Sequence, residues 1–162
     1  MSSQDFLVAK SPSKFAPTPS TYNVAAASTT INIGEPVVRA LGAGVVTQAV
    51  TASPVVGTNF MVGFATSKST QTATVAGTVQ VSPLEVGAVY IGTPTAAITT
   101  QAAYDLLVGR RVTWALTAGA FTVNSTDGAT NGLVIMPLDY TNTPSNVGKI
   151  AFAVRAAVDA LA

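Results

Sequence analysis

The sequence predicts an all-β protein: an antiparallel β-barrel or sandwich body of eight or more short strands, with one short helical turn and an extended N-terminal arm. Three observations carry that prediction. Val and Thr, which fit pleated sheets, supply 22 and 23 of the 162 residues. Apolar and small residues alternate in short runs rather than at helical spacing. Gly, Pro, Asn and Asp turn signals recur about every 8–12 residues, as in sandwiches and barrels. The chain divides into an arm over residues 1–28 and a single β-barrel-like domain over 29–162.

The arm is set apart by proline. In Ser11–Ser20 (SPSKFAPTPS), Pro12, Pro17 and Pro19 favour extended backbone and exclude a central strand. Phe6, Leu7, Val8, Phe15 and Tyr22 stud the arm with large apolar groups that a plain linker does not need, and they are the expected contact residues. Fully extended, such an arm reaches about 90–100 Å.

Beyond it, Thr30-Ile31-Asn32-Ile33 alternates and Gly34-Glu35-Pro36 turns into Val37-Val38-Arg39. Val45 to Thr51 makes a strand closed by Ser53-Pro54. In Asn59 to Ala65 the alternation puts Phe60, Val62 and Phe64 on one face. Gln71 to Val75 and Thr78 to Ser82 are expected to form a hairpin around Gly77, and Ala88 to Gly92 is another strand. Ala102 to Leu107 is the one helical turn, ended before Gly109. Val112 to Leu116 and Phe121 to Val123 pair across Thr117–Ala120, and Leu133 to Leu138 and Ile150 to Arg155 complete the set.

Composition narrows the function. Only eight Lys or Arg and seven Asp or Glu are present, 9% of the chain, for a net charge of +1, against about 25% in an ordinary domain. Such a surface loses little ion hydration when covered, which suits a subunit of an assembly. With no histidine there is no Ser-His-Asp triad or imidazole ligand, and with no cysteine no thiolate, disulfide or zinc knuckle. A balanced charge lacks the footprint of a nucleic-acid binder. No stretch offers about 20 consecutive apolar residues for a membrane, and MSSQDFLVAK is not a secretory signal. Leu, Ile, Val and Phe total 43 residues, too many for a disordered chain.

The motifs favour turns over chemistry. Gly42-Ala43-Gly44 has Thr47 where a dinucleotide fingerprint needs glycine, and Gly148-Lys149 has Thr143 where a phosphate loop needs one. Asp127 and Asn131 lack the further oxygen ligands of a calcium loop. The scattered acids suggest no carboxylate pair, so no catalytic, cofactor or metal residue is assigned and no small-molecule substrate is expected. Thr70, Thr72 and Thr74 would form a short threonine row. Trp114 with Tyr90, Tyr104 and Tyr140 is the one candidate sugar platform, set against the commoner reading of these rings as buried strand aromatics. Arg110-Arg111 marks a solvated strand entrance or a contact to a partner carboxylate.

One order of motifs is more specific. Ile33-Gly34-Glu35-Pro36-Val37-Val38 is followed by Asn59-Phe60-Met61-Val62-Gly63-Phe64-Ala65, then Gly77-Thr78-Val79-Gln80-Val81, then Leu84-Glu85-Val86-Gly87-Ala88-Val89-Tyr90. Over Thr29 to Gly92 this resembles the small capsid decoration (cement) proteins of tailed bacteriophages, as do the proline-rich arm and the Ala/Thr/Val composition. The resemblance implies a β-barrel-like homotrimer on the outer surface of an icosahedral head in the virion, made in the host cytoplasm. The arm would add to a sheet of the major capsid protein and clamp adjacent capsomers, with no enzymatic step. The runner-up is a head-fibre or adhesin module reading cell-surface glycans through Trp114 and the tyrosines. A third reading is a self-assembling shell or tail-tube subunit.

Overall fold

The structure is a computed structural model and describes residues 7–10, 18–49, 54–55, 57–85, 87–117, 120–126, 128 and 131–154. Its eleven strands are β1 Leu7–Lys10, β2 Ser20–Val24, β3 Pro36–Ala40, β4 Thr47–Gln48, β5 Asn59–Ala65, β6 Gly77–Pro83, β7 Val89–Gly92, β8 Arg111–Thr117, β9 Ala120–Asn124, β10 Leu133–Met136 and β11 Ile150–Val154. A five-residue helix, α1 (Gln101–Asp105), and a 3-10 turn at Pro144–Asn146 complete the regular elements. The fold is therefore all-β, with antiparallel strand pairing throughout both sheets.

One sheet has the order β2-β6-β5-β3-β4. Its two ends meet: Val24, at the end of β2, forms a parallel bridge to Val46, just before β4, and the Val46 amide donates to the Asn23 carbonyl at 2.9 Å. This ring encloses Val24, Ile31, Val37, Val46, Val62, Ala65, Val79 and Val81. β-branched residues fill most of that interior because they are compact and stiff at χ1.

The other sheet has the order β1-β7-β11-β10-β8-β9. It also returns on itself. The chain just past β7 bridges β9 through Pro94 and Val123, with the Val123 amide donating to the Thr93 carbonyl and the Thr95 amide to the Val123 carbonyl, both at 2.9 Å. β1 stands outside that closure, paired to β7 through Leu7–Ile91 and Val8–Tyr90.

Trp114 organises the larger core. It is fully buried and meets Phe152, Phe64 and Phe121 edge-on at ring-centre distances of 5.1, 6.3 and 6.4 Å. Tyr90 stacks on Phe152 at 5.7 Å. Val38, Ala49, Met61 and Phe64, from the outer face of the five-stranded sheet, pack into this same cluster. The two sheets thus share a core.

The alternation expected for β5 is broken by a bulge. Val37 pairs with Gly63 and Val38 with Met61, which leaves Val62 as an extra residue. An extra residue reverses the side-chain alternation. Phe60 and Val62 therefore face the five-stranded interior, while Phe64 turns to Trp114 and Tyr90 in the larger core. Gly63 is required beside the bulge, because a Cβ there would lie 1.9 Å from the Ser82 carbonyl oxygen of β6.

Two expected strands are loops. Ile31 is buried, but its amide donates to Ser69 Oγ at 2.8 Å, and a turn follows in which Asn32 and Glu35 bond each other. Its backbone is satisfied by a side chain and a loop amide instead of a ladder. Around Gln71–Val75, the Thr72 amide donates to the Val75 carbonyl at 2.9 Å and Thr72 Oγ1 accepts from the Val75 amide at 3.1 Å. That local turn replaces the hairpin, so Thr70, Thr72 and Thr74 form no strand face.

Candidate assembly surface

The expected arm residues are dispersed. Leu7 and Val8 lie on β1, against the larger sheet. Tyr22 sits on β2, opposite Val79 and half-buried against the core of the five-stranded sheet. The strand Ser20–Val24 is thus built into the body ahead of the expected boundary at Thr29. The reason is visible in its pairing: five consecutive residues of β2 match Gly77–Val81 of β6, and Val24 closes the ring. Phe6 and Phe15 lie outside the described residues. The structure does not bring Tyr22 together with Leu7 and Val8.

Closure of both sheets leaves one conspicuous open ladder. Among the described residues β1 pairs on one side only, with β7. A strand edge of this kind presents unpaired N–H and C=O groups that template a further strand. Its pairing is irregular, with a register shift between Val8 and Lys10.

The aromatic platform is absent from the surface. Trp114 and Tyr104 are 0% exposed, Tyr90 3% and Tyr140 5%. Each tyrosine hydroxyl is bound within the fold: Tyr90 accepts from the Glu85 amide, Tyr140 donates to the Lys149 carbonyl, and Tyr104 bridges β10 and β11. Burial pushes the Tyr104 hydroxyl up to about 12 and raises Tyr90 and Tyr140 as well. A sugar cannot stack on rings that pack one another. Burial is the commoner fate of aromatics at strand positions, and the structure shows it for all four.

Polar clusters serve the fold. Asp105 accepts from Gln101 Nε2 at 2.7 Å, and that amide also reaches the Leu138 carbonyl, while Gln101 Oε1 accepts from the Tyr140 amide. The Asn142 amide, then its side chain, and the Thr141 amide hold the Asp139 carboxyl below 3.8. Arg110 Nε donates to the Leu106 carbonyl at 3.1 Å. Asp127 lies outside the described residues, and among those described no three His, Cys, Asp or Glu side chains converge. No helix among them is long and apolar enough to cross a membrane.

Large apolar side chains stay exposed at scattered points, including Leu106 at 74% and Val75 at 60%. The chain matches no family model, no curated protein and no solved structure.

Proposed function

We propose that this chain is a capsid decoration (cement) protein, a homotrimer that binds the outer surface of an icosahedral phage head and clamps adjacent major capsid proteins without an enzymatic step. The observation that most supports this reading is β1, the strand left outside two closed sheets, which lies in the arm segment. A strand of the capsid protein added beside β1 would extend the larger sheet across the interface, with main-chain bonds giving affinity and alternate side chains giving register.

The energetics favour this arrangement over a free arm. Ordering backbone costs about 1–2 kcal/mol per residue, whereas each hydrogen bond returns about 0.5–1.5 kcal/mol net. β1 already lies on β7, so part of that ordering cost is met before the partner arrives. One such contact is weak, and three on one trimer act together through effective concentration. Stabilisation of the shell follows by mass action, because the ligand binds only the assembled state.

The test is a truncation lacking residues 1–17, which removes β1 and leaves β2 whole. The truncated protein is expected to keep its far-ultraviolet circular dichroism and to stop cosedimenting with expanded heads. Decoration equal to that of the full chain overturns the proposal.

A further inference from the structure

Asn131 ties separate stretches of the chain together just before β10 enters the larger core. It forms an isolated antiparallel bridge with Val55, and the next amide, Gly132, donates to the Pro54 carbonyl at 2.9 Å. Its side-chain Nδ2 donates at 3.2 Å to the carbonyl of Arg111, where β8 begins, and reaches the Thr126 carbonyl at 3.5 Å. Its own amide donates to the Gly128 carbonyl, and the Gly128 amide shares the Arg111 acceptor, both at 3.0 Å. The carboxamide lies close over Gly128: a Cβ there would come within 2.7 Å of Asn131 Nδ2. Asn131 is also the one asparagine of the chain that is followed by glycine. Glycine has no Cβ, so its amide nitrogen meets the least obstruction in reaching the preceding carboxamide carbon.

We propose that Asn131–Gly132 is a deamidation site that the fold holds closed and that local opening converts irreversibly. In the first step Gly132 N gives up its proton and attacks Asn131 Cγ. The new N–C bond forms as the Cγ–Nδ2 bond breaks, and Nδ2 leaves as ammonia carrying that proton. Water then opens the resulting succinimide at either carbonyl, giving aspartate or isoaspartate. The closed site resists at both ends, because the Gly132 N–H is held by Pro54 and the carboxamide by Arg111. Deprotonation of the Gly132 amide is the event that hydrogen exchange reads, so the same opening governs both. Conversion runs one way. An aspartate at position 131 has no side-chain donor for the Arg111 and Thr126 carbonyls and sets negative charge against them. Isoaspartate adds a main-chain carbon between the Val55 bridge and the β10 ladder. The modification thus keeps a record of each opening at the entrance to β10. It is independent of the capsid reading.

The test incubates the full chain at neutral pH, folded and in guanidinium chloride, and follows the tryptic peptide 112–149 by mass spectrometry. Fragmentation locates the residue at which an amide nitrogen has been exchanged for oxygen. The same peptide carries Asn124, Asn142 and Asn146, none followed by glycine, as internal references. In denaturant Asn131 should convert faster than those three. In the folded chain it should convert at least about tenfold more slowly than in denaturant, by a factor that matches the exchange protection of the Gly132 amide within about threefold. Gly128→Ala displaces the Asn131 carboxamide, so it should speed conversion of the folded chain about three- to tenfold and leave the rate in denaturant unchanged. Asn131→Asp, which imitates one product, should unfold at a lower urea concentration than the original chain. Equal rates with and without denaturant, a folded rate unrelated to Gly132 protection, no acceleration by Gly128→Ala, or references that convert as fast as Asn131 overturn the proposal.

Discussion

Tyr104→Phe removes one oxygen from the place where the helical turn is tied to the larger sheet. Tyr104 is 0% exposed; its hydroxyl donates to the Met136 carbonyl at 2.7 Å and accepts from the Ala151 amide at 2.9 Å. Met136 and Ala151 face each other on β10 and β11, so the hydroxyl fastens the end of that ladder. Losing two net bonds costs about 1 kcal/mol each, and leaving a buried amide unpaired adds about 1–3 kcal/mol. The low end of that sum is about 3 kcal/mol, or roughly 6–12 °C in Tm for a chain of this length. Burial also pushes the Tyr104 hydroxyl up to about 12 from 10.0. The folded state therefore holds this proton more tightly than the unfolded chain. Its contribution is complete below pH 10 and is lost as pH rises through about 12. Chemical denaturation at pH 7 and at steps from pH 9 to 12 reads both effects. The gap between the original chain and Tyr104→Phe should be near 3 kcal/mol at neutrality and shrink at alkaline pH. Tyr90 titrates in both proteins and cancels in the difference, whereas Tyr140, whose ring centre lies 4.9 Å from that of Tyr104, is coupled to it and adds to the alkaline change. A substitution that costs under about 0.5 kcal/mol at pH 7, or a gap that does not change with pH, refutes this account of how α1 is held.

Other substitutions probe the remaining joints. Trp114→Ala, at the centre of the larger core, should cost about 3–5 kcal/mol and abolish the near-ultraviolet signal of that aromatic cluster. Gly63→Ala should cost about 1–3 kcal/mol, because β5 and β6 must separate to admit a Cβ, and urea unfolding will show it as a lowered midpoint. Thr100→Ala removes the hydroxyl that caps α1 on the Ala103 amide and should cost about 1 kcal/mol, seen in the same assay. The Asp139 carboxylate should titrate below 3.8 by NMR, with its turn-forming contribution present above that value and lost as pH falls through the lowered pKa.

Most of the strands were legible in the sequence, because turn chemistry and β-branched runs both act locally. The hairpin β8–β9 is set by Val112–Leu116 and Phe121–Val123 closing on each other, and α1 falls inside the helical turn expected there, give or take a residue. What was not legible depended on partners far away in the chain. Ser20–Val24 has only Tyr22 and Val24 to suggest a strand, and it becomes one because β6, more than fifty residues later, offers it a matching edge. Ile31 shows strand alternation yet receives its bond from Ser69 Oγ. Simple alternation puts Phe64 on the wrong face, since a bulge inverts the period and only the opposing register reveals it. The burial of Trp114 and three tyrosines likewise followed from two sheets meeting, which no local pattern records.

The scarcity of charge and the closure of the sheets explain each other. A β protein usually guards its strand edges with lysine, inward-pointing charges or bulges, since an unguarded ladder invites aggregation. With charged residues at only 9% of its composition, this chain has few to spend that way. It removes most edges instead, joining Val24 to Val46 in one sheet and Pro94 to Val123 in the other. Closure satisfies the main chain without ions, so the Thr- and Ala-rich exterior can be covered by a partner at little desolvation cost. The exception then gains meaning. Among the described residues β1 is the strand left with one side open, and it carries Leu7, Val8 and a single basic residue, Lys10. An edge retained by a molecule that closes its others is where pairing with another chain has something to gain. Replacing Leu7 or Val8 by proline separates its two sides, because successive amides of a strand point to opposite edges. One of the two substitutions should loosen β1 from β7, read as faster amide exchange at Tyr90 or Ile91. The other should leave that exchange unchanged and still abolish head decoration. If both leave decoration intact, the open side of β1 is not where the shell binds.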